Sequence, residues 1–257
     1  AAILRAARSE GVPVFVLGGG ANLVIADRGV RGIVLDTGGW TGWDPPGKGG
    51  ILVRSGTALD ALAEAPAEAG WGGLEFLAGM PGSVGGAVWM NARAYEKSVS
   101  GALLETEILD ESLVPRGVPF RAGDFGYKKS PFQGRDILIL SARFALERRP
   151  PPEIRREIED HRRDRETRGH YRFPSAGSAF KNNRAFGKPA GKIIDELGLR
   201  GFSVGGARVA PWHGNFIINT GNASAGDIRA LTETIAARVR AARGLDLEPE
   251  ILFVGEW

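Results

Sequence analysis

The stretch Leu77-Ala78-Gly79-Met80-Pro81-Gly82-Ser83-Val84-Gly85-Gly86-Ala87-Val88-Trp89-Met90-Asn91-Ala92 decides how the rest of the chain is read. It holds four glycines and a proline and carries no charge. Its glycine content argues against a strand, and its breaks argue against a helix. Glycine reaches positive φ cheaply and has no Cβ, so such a loop can lie against a flat, bulky ligand. A second cluster stands upstream, Val16-Leu17-Gly18-Gly19-Gly20-Ala21-Asn22-Leu23-Val24-Ile25. There an apolar run enters three glycines and leaves into another apolar run. Successive glycine amides can form an anion-binding nest suited to a diphosphate. Together the loops point to a cofactor with a diphosphate and a flat ring. The dinucleotide fingerprint is absent, because Gly18-Gly19-Gly20 lacks the spaced third glycine that opens a helix.

Composition excludes several classes. Of 257 residues, 43% are hydrophobic and 25% charged, as in ordinary globular chains. No run approaches 18 uninterrupted apolar residues, so no membrane helix is expected. The opening Ala1-Ala2-Ile3-Leu4-Arg5 has no long apolar core, and no signal peptide is expected. There is no cysteine, so disulfides and Cys-ligated metals are excluded. Only His161, His170 and His213 could offer imidazole, and no metal site is expected. The net charge of +3 suits acidic small molecules as well as nucleic acid.

Periodicity gives a helix over residues 1–10 and strands over 12–17, 23–26, 33–35 and 51–53. A helix over 57–69 is expected, capped by Thr57 and kinked or ended at Pro66. Strands follow at 103–109 and 137–146. Arg148-Arg149-Pro150-Pro151-Pro152 marks a composition change and an expected domain boundary, 1–147 before it and 148–257 after it. Residues 152–168 read as a helix with Ile154 and Ile158 as its apolar seam. Its mixed charges predict a solvated helix held by surface pairs, not a polyanion-binding arm. Beyond it stand a helix over 190–197, a strand over 215–219, a long helix capped by Ser224 and stopped by Gly244, and a last strand over 250–254. The pattern is α+β.

The two glycine loops, in this order, resemble the FAD-binding domain of the UDP-N-acetylenolpyruvoylglucosamine reductases, whose loops read GGG-x-NL and PGSVGGAV-x-MNA. Further segments resemble the same family: Phe125-Gly126-Tyr127-Lys128-Lys129-Ser130, Ser175-Ala176-Gly177-Ser178-Ala179-Phe180-Lys181-Asn182, Val204-Gly205-Gly206-Ala207 with His213-Gly214-Asn215-Phe216, and Glu248-Pro249-Glu250-Ile251. The resemblance runs from Val14 to Val254. It implies an FAD-binding domain of the vanillyl-alcohol-oxidase-like (PCMH) type with a smaller C-terminal α+β substrate domain. It also implies that a strand segment precedes this chain's opening helix in the family. The implied activity is NADPH-linked, FAD-dependent reduction of an enolpyruvyl ether to UDP-N-acetylmuramate, for cell-wall precursor synthesis. A cytoplasmic monomer acting on a small molecule, without nucleic acid or membrane, is expected.

By the resemblance, Leu17, Gly18, Gly19, Gly20, Ala21, Asn22, Leu23, Gly79, Pro81, Gly82, Ser83, Gly85, Gly86, Ala87, Asn91 and Ile137 would bind FAD. Tyr127, Arg168, Lys181 and Asn182 would bind substrate. Ser178 would be the acid, with Glu250 and Lys128 facing the enolate. Hydride delivered to the vinyl carbon remote from the carboxylate builds negative charge on the carboxylate side. A nearby cation or proton donor lowers that barrier, and a positioned acid contributes about 10²–10⁴-fold.

Three departures stand out. Lys128 replaces the family's Arg and loses its planar fork. Arg93 stands where the family usually has Gly. Gly169-His170 replaces Gln-Pro before the Ser175 segment. The Tyr-bearing insertion of one branch is absent, which implies the shorter branch. Two alternatives remain open: another FAD oxidoreductase of this fold, which has no reason to keep Ser178 with Glu250, and a reductase-like binding protein of weak turnover. A flavin spectrum separates the second from both enzymes.

Overall fold

The computed structural model describes residues 1–257. Two compact units make up the chain, 1–20 with 32–164 and 21–31 with 165–257. These divisions differ from the 147/148 boundary: they fall between Gly20 and Ala21, between Arg31 and Gly32, and between Asp164 and Arg165 inside a helix.

In the first unit, α1 (Ala2–Ser9) precedes a parallel pair, Val14–Leu17 with Ile33–Asp36. An antiparallel sheet follows in the order Ile51–Arg54, Leu138–Phe144, Leu103–Leu109, Pro115–Pro119. Ile51, Val53, Ile108 and Phe144 bury one face of it against Leu62, Phe76, Leu77, Val84 and Val88. Helix α2 (Leu59–Glu64) stops before Pro66, whose ring cannot continue it. Thr57 does not cap α2. Its hydroxyl instead accepts from Gly42 N–H at 3.0 Å and donates to Gly42 C=O at 3.2 Å. That tie takes the hydroxyl away from the helix, and Ala58 is the N-cap.

The glycine-rich stretch contains a helix after all, α3 (Val84–Met90). Its helix-forming devices lie at the ends. The Ser83 hydroxyl caps the start by accepting from Gly86 N–H, and Asn91 closes the end in the left-handed region at φ 48°. Gly85 lies where a Cβ would meet the Ser55 Cβ at 2.9 Å, so the helix enters with no side chain on that side.

Helix α4 (Pro151–Thr167) buries Ile154 and Ile158 in the first core. Its charges pair mainly with other elements. Arg149 bridges Glu75 and Glu157, each at 2.9 Å, and Arg162 reaches Asp60 at 2.7 Å and Glu64 at 2.5 Å on α2. Within the helix Asp160 lies 3.7 Å from Arg163, and Glu157 lies 3.6 Å from His161.

The second unit carries an antiparallel sheet in the order Ser175–Ser178, Phe216–Asn219, Ala207–Val209, Ser203–Val204. Helices α5 (Ala190–Glu196) and α6 (Ala225–Arg243) cover it, and Phe180, Ile194, Leu231, Ile235 and Val239 form the core. Leu23–Ile25 pairs in parallel with Leu252–Val254. Ser224 and Asp227 form a complete capping box on α6, and Gly244 at φ +67° ends it. Gly205 and Gly206 lie against this cap: a Cβ on Gly205 would sit 2.3 Å from the Asp227 carboxyl. Sequence periodicity gives no strand at 175–178 or 115–119, where the structure has two. The first holds a bulge at Gly177, φ +82°, which hides its alternation. The second opens and closes on proline at the sheet edge.

Candidate active site

In the first unit the two glycine loops touch. Gly19 N–H donates to the Ser83 hydroxyl at 3.1 Å. A Cβ on Gly19 would lie 2.6 Å from Gly82 Cα, and one on Gly18 would lie 2.6 Å from the Ser83 Oγ. Ser83 is buried and ties both loops, since it also accepts from Gly86 at 3.4 Å. Glycine at 19 and 85 therefore serves close approach, while positive φ falls on Gly20, Gly79 and Gly82. The Gly19 amide is engaged inside the protein, so it does not contribute to an anion nest. Gly19, Gly20, Pro81 and Gly86 remain exposed along the paired loops. This bare backbone surface fits a diphosphate and a flat ring. Gly79 is held separately, by its N–H on the Asp60 carboxylate at 2.6 Å. Leu17 C=O is bound by Thr37, Ile137 is half-buried on the first core, and Ala87 is buried within it.

Asn91 is 4% exposed, and both ends of its amide are engaged. Its Nδ2 donates to Gly126 C=O at 2.8 Å, and its Oδ1 accepts from Ser100 N–H at 3.1 Å. It thereby ties the α3 loop to the segment bearing Lys128. That segment turns tightly: Gly126 and Lys129 exchange both backbone bonds, at 3.0 and 3.1 Å. Positive φ falls on Lys128 (56°) and not on Tyr127, the pattern of a type II turn with a lysine in the glycine position. Gln133 Nε2 donates to Lys128 C=O at 3.1 Å, and Ser130 Oγ donates to Trp89 C=O at 2.6 Å. Strain at a bulky residue persists only where its surroundings fix it, as these bonds do. A cavity of about 270 Å³ opens beside the turn, lined by Asn91, Arg93, Ser100, Phe125, Tyr127 and Lys128 among others.

In the second unit Ser178 and Glu250 come together through the backbone. Glu250 N–H donates to C=O of Ala179, the residue after Ser178, at 2.8 Å. Ser178 pairs with Phe216 across the sheet. Asn22 Nδ2 donates to Glu250 C=O at 2.9 Å, and Leu252 N–H returns to Asn22 C=O at 3.0 Å. Asn22 thus holds Glu250, which is 7% exposed. Asn215, not singled out in the sequence, is buried and bonds both backbone groups of Phe180, at 3.0 and 2.8 Å. It does for Phe180 what a strand neighbour would do. The adjoining His213 Nδ1 accepts from Asn215 N–H at 3.2 Å. Burial holds the His213 imidazole below its ordinary pKa; Asp195 opposes this, and Arg200 and Arg168 reinforce it.

The expected substrate residues belong to both units. Tyr127 is 45% exposed at the turn of the first unit. Lys181 Nζ pairs with Glu248 at 2.6 Å, Asn182 Oδ1 accepts from Ala190 N–H at the start of α5, and Arg168 is exposed just beyond α4. Of the three expected catalytic residues, Lys128 belongs to the first unit, and Ser178 and Glu250 to the second.

Known proteins resemble the chain over almost all its length. Residues 169–254 match a domain described as the UDP-N-acetylenolpyruvoylglucosamine reductase C-terminal domain, and residues 1–111 match an FAD binding domain. The UDP-N-acetylenolpyruvoylglucosamine reductase of Treponema pallidum is 41% identical, covering 99% of this chain and 85% of that protein. That of Borreliella burgdorferi is 39% identical, covering 98% and 84%. The crystal structure of the Thermus caldophilus reductase superposes with a TM-score of 0.81 at 35% identity, covering 98% of this chain and 89% of that one.

Proposed function

The chain belongs to the UDP-N-acetylenolpyruvoylglucosamine reductase family, and on that premise we propose which of its residues carry the reaction. It is an FAD-dependent oxidoreductase that uses NADPH to reduce UDP-N-acetylenolpyruvoylglucosamine, giving UDP-N-acetylmuramate for peptidoglycan. Bound FAD supplies hydride transfer from NADPH to the enolpyruvyl carbon remote from the carboxylate. The paired loops Gly18–Gly20 and Gly79–Gly86 would hold it, along a backbone surface that the Ser83 hydroxyl ties together. The N-terminal domain, 1–147, binds FAD, and 148–257 binds substrate through Arg168, Lys181 and Asn182, with Tyr127 added from the first.

The chain's own groups then act on charge and protons. The Lys128 ammonium stabilises negative charge growing on the carboxylate side of the substrate. The Ser178 hydroxyl gives its proton to the carbanion-like carbon. A serine is a weak acid, but that carbon is a strong base, so the transfer runs downhill. Glu250 sits beside the same charge, fixed by its backbone bonds to Ala179 and Asn22. The observation that carries this reading is that Glu250 N–H bonds the residue next to Ser178, which sets two expected chemical groups on adjacent backbone. Another FAD oxidoreductase has no use for that pairing. A cytoplasmic monomer without nucleic-acid partners completes the proposal. Anaerobic NADPH should bleach the flavin band, and the enolpyruvyl ether should restore it. Bleaching without restoration would overturn the substrate assignment.

A further inference from the structure

We propose that Arg93 is a second cation for the substrate's carboxylate, acting with Lys128 inside the cavity beside the Gly126–Lys129 turn. The proposal rests on the reductase reading above. The cavity holds about 270 Å³, room for a carboxylate with a few carbons around it. Arg93 and Lys128 both line it, and no Asp or Glu does. Two cations on one concave surface, with no acid in the lining, favour an anion. Ser98 and Ser100 line it too, their hydroxyls 3.1 Å apart, and Phe120 and Phe125 supply apolar wall. A small organic acid with an unsaturated carbon next to its carboxylate matches both kinds of wall.

Arg93 is built into the cavity by its backbone. It pairs with Ser98 across a two-residue hairpin whose turn residues, Tyr95 and Glu96, both have positive φ (48° and 62°). The tyrosine tolerates that conformation because its far end is anchored. Its hydroxyl lies 3.0 Å from the Asp164 carboxylate and 3.1 Å from His161 C=O, and its ring stacks on His161 at 3.9 Å. A hairpin fixed in this way holds Arg93 ready before ligand arrives, which reduces the ordering cost of binding. Arg93 Nη2 meets Glu96 at 2.5 Å, but the Glu96 side chain is 93% exposed. A pair so wet contributes little. It leaves four further guanidinium N–H donors for a carboxylate. Lysine offers a point charge where a planar fork would fix orientation, and Arg93 brings the fork to the same cavity.

The test uses the flavin-loaded enzyme and two ligands that differ in the carboxylate. Spectral titration of the oxidised flavin gives Kd for the enolpyruvyl substrate and for UDP-N-acetylglucosamine, which lacks the enolpyruvyl group. Arg93→Ala should weaken the first about 10-fold or more, the scale of a hydrogen bond to a charged partner. It should leave the second, flavin content and the KM for NADPH within about twofold. Arg93→Lys should fall between wild type and Ala, and it serves where the alanine variant loses flavin. Unchanged enolpyruvyl affinity, equal weakening of both ligands, or a raised KM for NADPH overturns the assignment. Because binding is read without turnover, these outcomes are separate from a failure of the enzyme to reoxidise, which would instead remove the reductase reading.

Discussion

Gly19→Ala adds a single methyl to the chain, and its site can be specified atom by atom. The new Cβ would stand 2.6 Å from Gly82 Cα, 2.8 Å from Gly82 C and 2.9 Å from Ser83 N. All three are backbone atoms, so no side chain can swing away to relieve the clash. The two loops must separate, and Gly19 N–H then loses its 3.1 Å bond to the Ser83 hydroxyl. Overpacking of this kind costs about 1–3 kcal/mol, and the bond adds about 0.5–1.5 kcal/mol. The sum, about 1.5–4.5 kcal/mol, corresponds to roughly 10- to 10³-fold in affinity for whatever requires the loops to be paired. The control is next door. Gly20 has φ +65°, but its nearest neighbour to an added Cβ is Leu17 Cδ1 at 3.9 Å. Gly20→Asn should therefore be well tolerated, because Asn enters the left-handed region more easily than other side chains. Both proteins are purified, the flavin-to-protein absorbance ratio is read, and FAD Kd is measured on the apo form. Gly19→Ala should lose most of its flavin, whereas Gly20→Asn, which leaves the contact between the loops whole, should fold with a wild-type Tm. A Gly19→Ala protein with wild-type FAD affinity would refute the placement of the cofactor on this contact.

Other outcomes follow from the second unit. Ser178→Ala should leave flavin reduction by NADPH near normal and slow reoxidation by the enolpyruvyl ether by about 10²-fold or more, resolved by stopped-flow absorbance; equal slowing of both would return Ser178 to a strand residue. Asn215→Ala strips both backbone groups of Phe180 of their partners and should destabilise by about 2 kcal/mol or more, a fall in Tm of about 4–8 °C. The half-buried His213 has a lowered pKa in the folded chain, so over part of the pH range the unfolded chain binds more protons. Its contribution is whole above the unfolded pKa near 6.5 and is lost as pH falls from there toward its lowered folded value. His213→Gln should flatten the stability profile in that window, read by urea denaturation between about pH 5 and 7; an unaltered slope would place the acid sensitivity elsewhere.

Element type was legible wherever periodicity and end signals agreed. Ser224, the apolar run through Val239 and Gly244 give α6 almost to the residue. The reading broke down where a local rule met a tertiary contact. Residues 84–90 carry glycines that argue against a helix, yet Ser83, Asn91 and the space beside Ser55 make one. Thr57 looked like a cap, and its hydroxyl was claimed by Gly42. Mixed charges on α4 gave its exposure correctly but not its partners, because Asp60 and Glu64 lie about a hundred residues upstream.

The polar residues inside the motifs show why a site is harder to read than a fold. Asn22 and Asn91 lie within glycine loops, which is the usual ground for assigning them to a cofactor. Their amides hold the backbone of other motifs, Asn22 on Glu250 and Asn91 on Gly126. Ser83 joins one glycine loop to the other, and Asn215 holds Phe180 beside Ser178. An amide offers a donor and an acceptor like a peptide group, so it can bind a strand edge or loop where no strand neighbour is available. A buried peptide group left without such a partner is costly, which makes these ties necessary wherever loops, not strands, carry the chemistry. The positions of Lys128, Ser178 and Glu250 are therefore set by side chains that need not touch a ligand. Sequence spacing cannot distinguish such a tie from a ligand contact, because both require the same residue in the same loop.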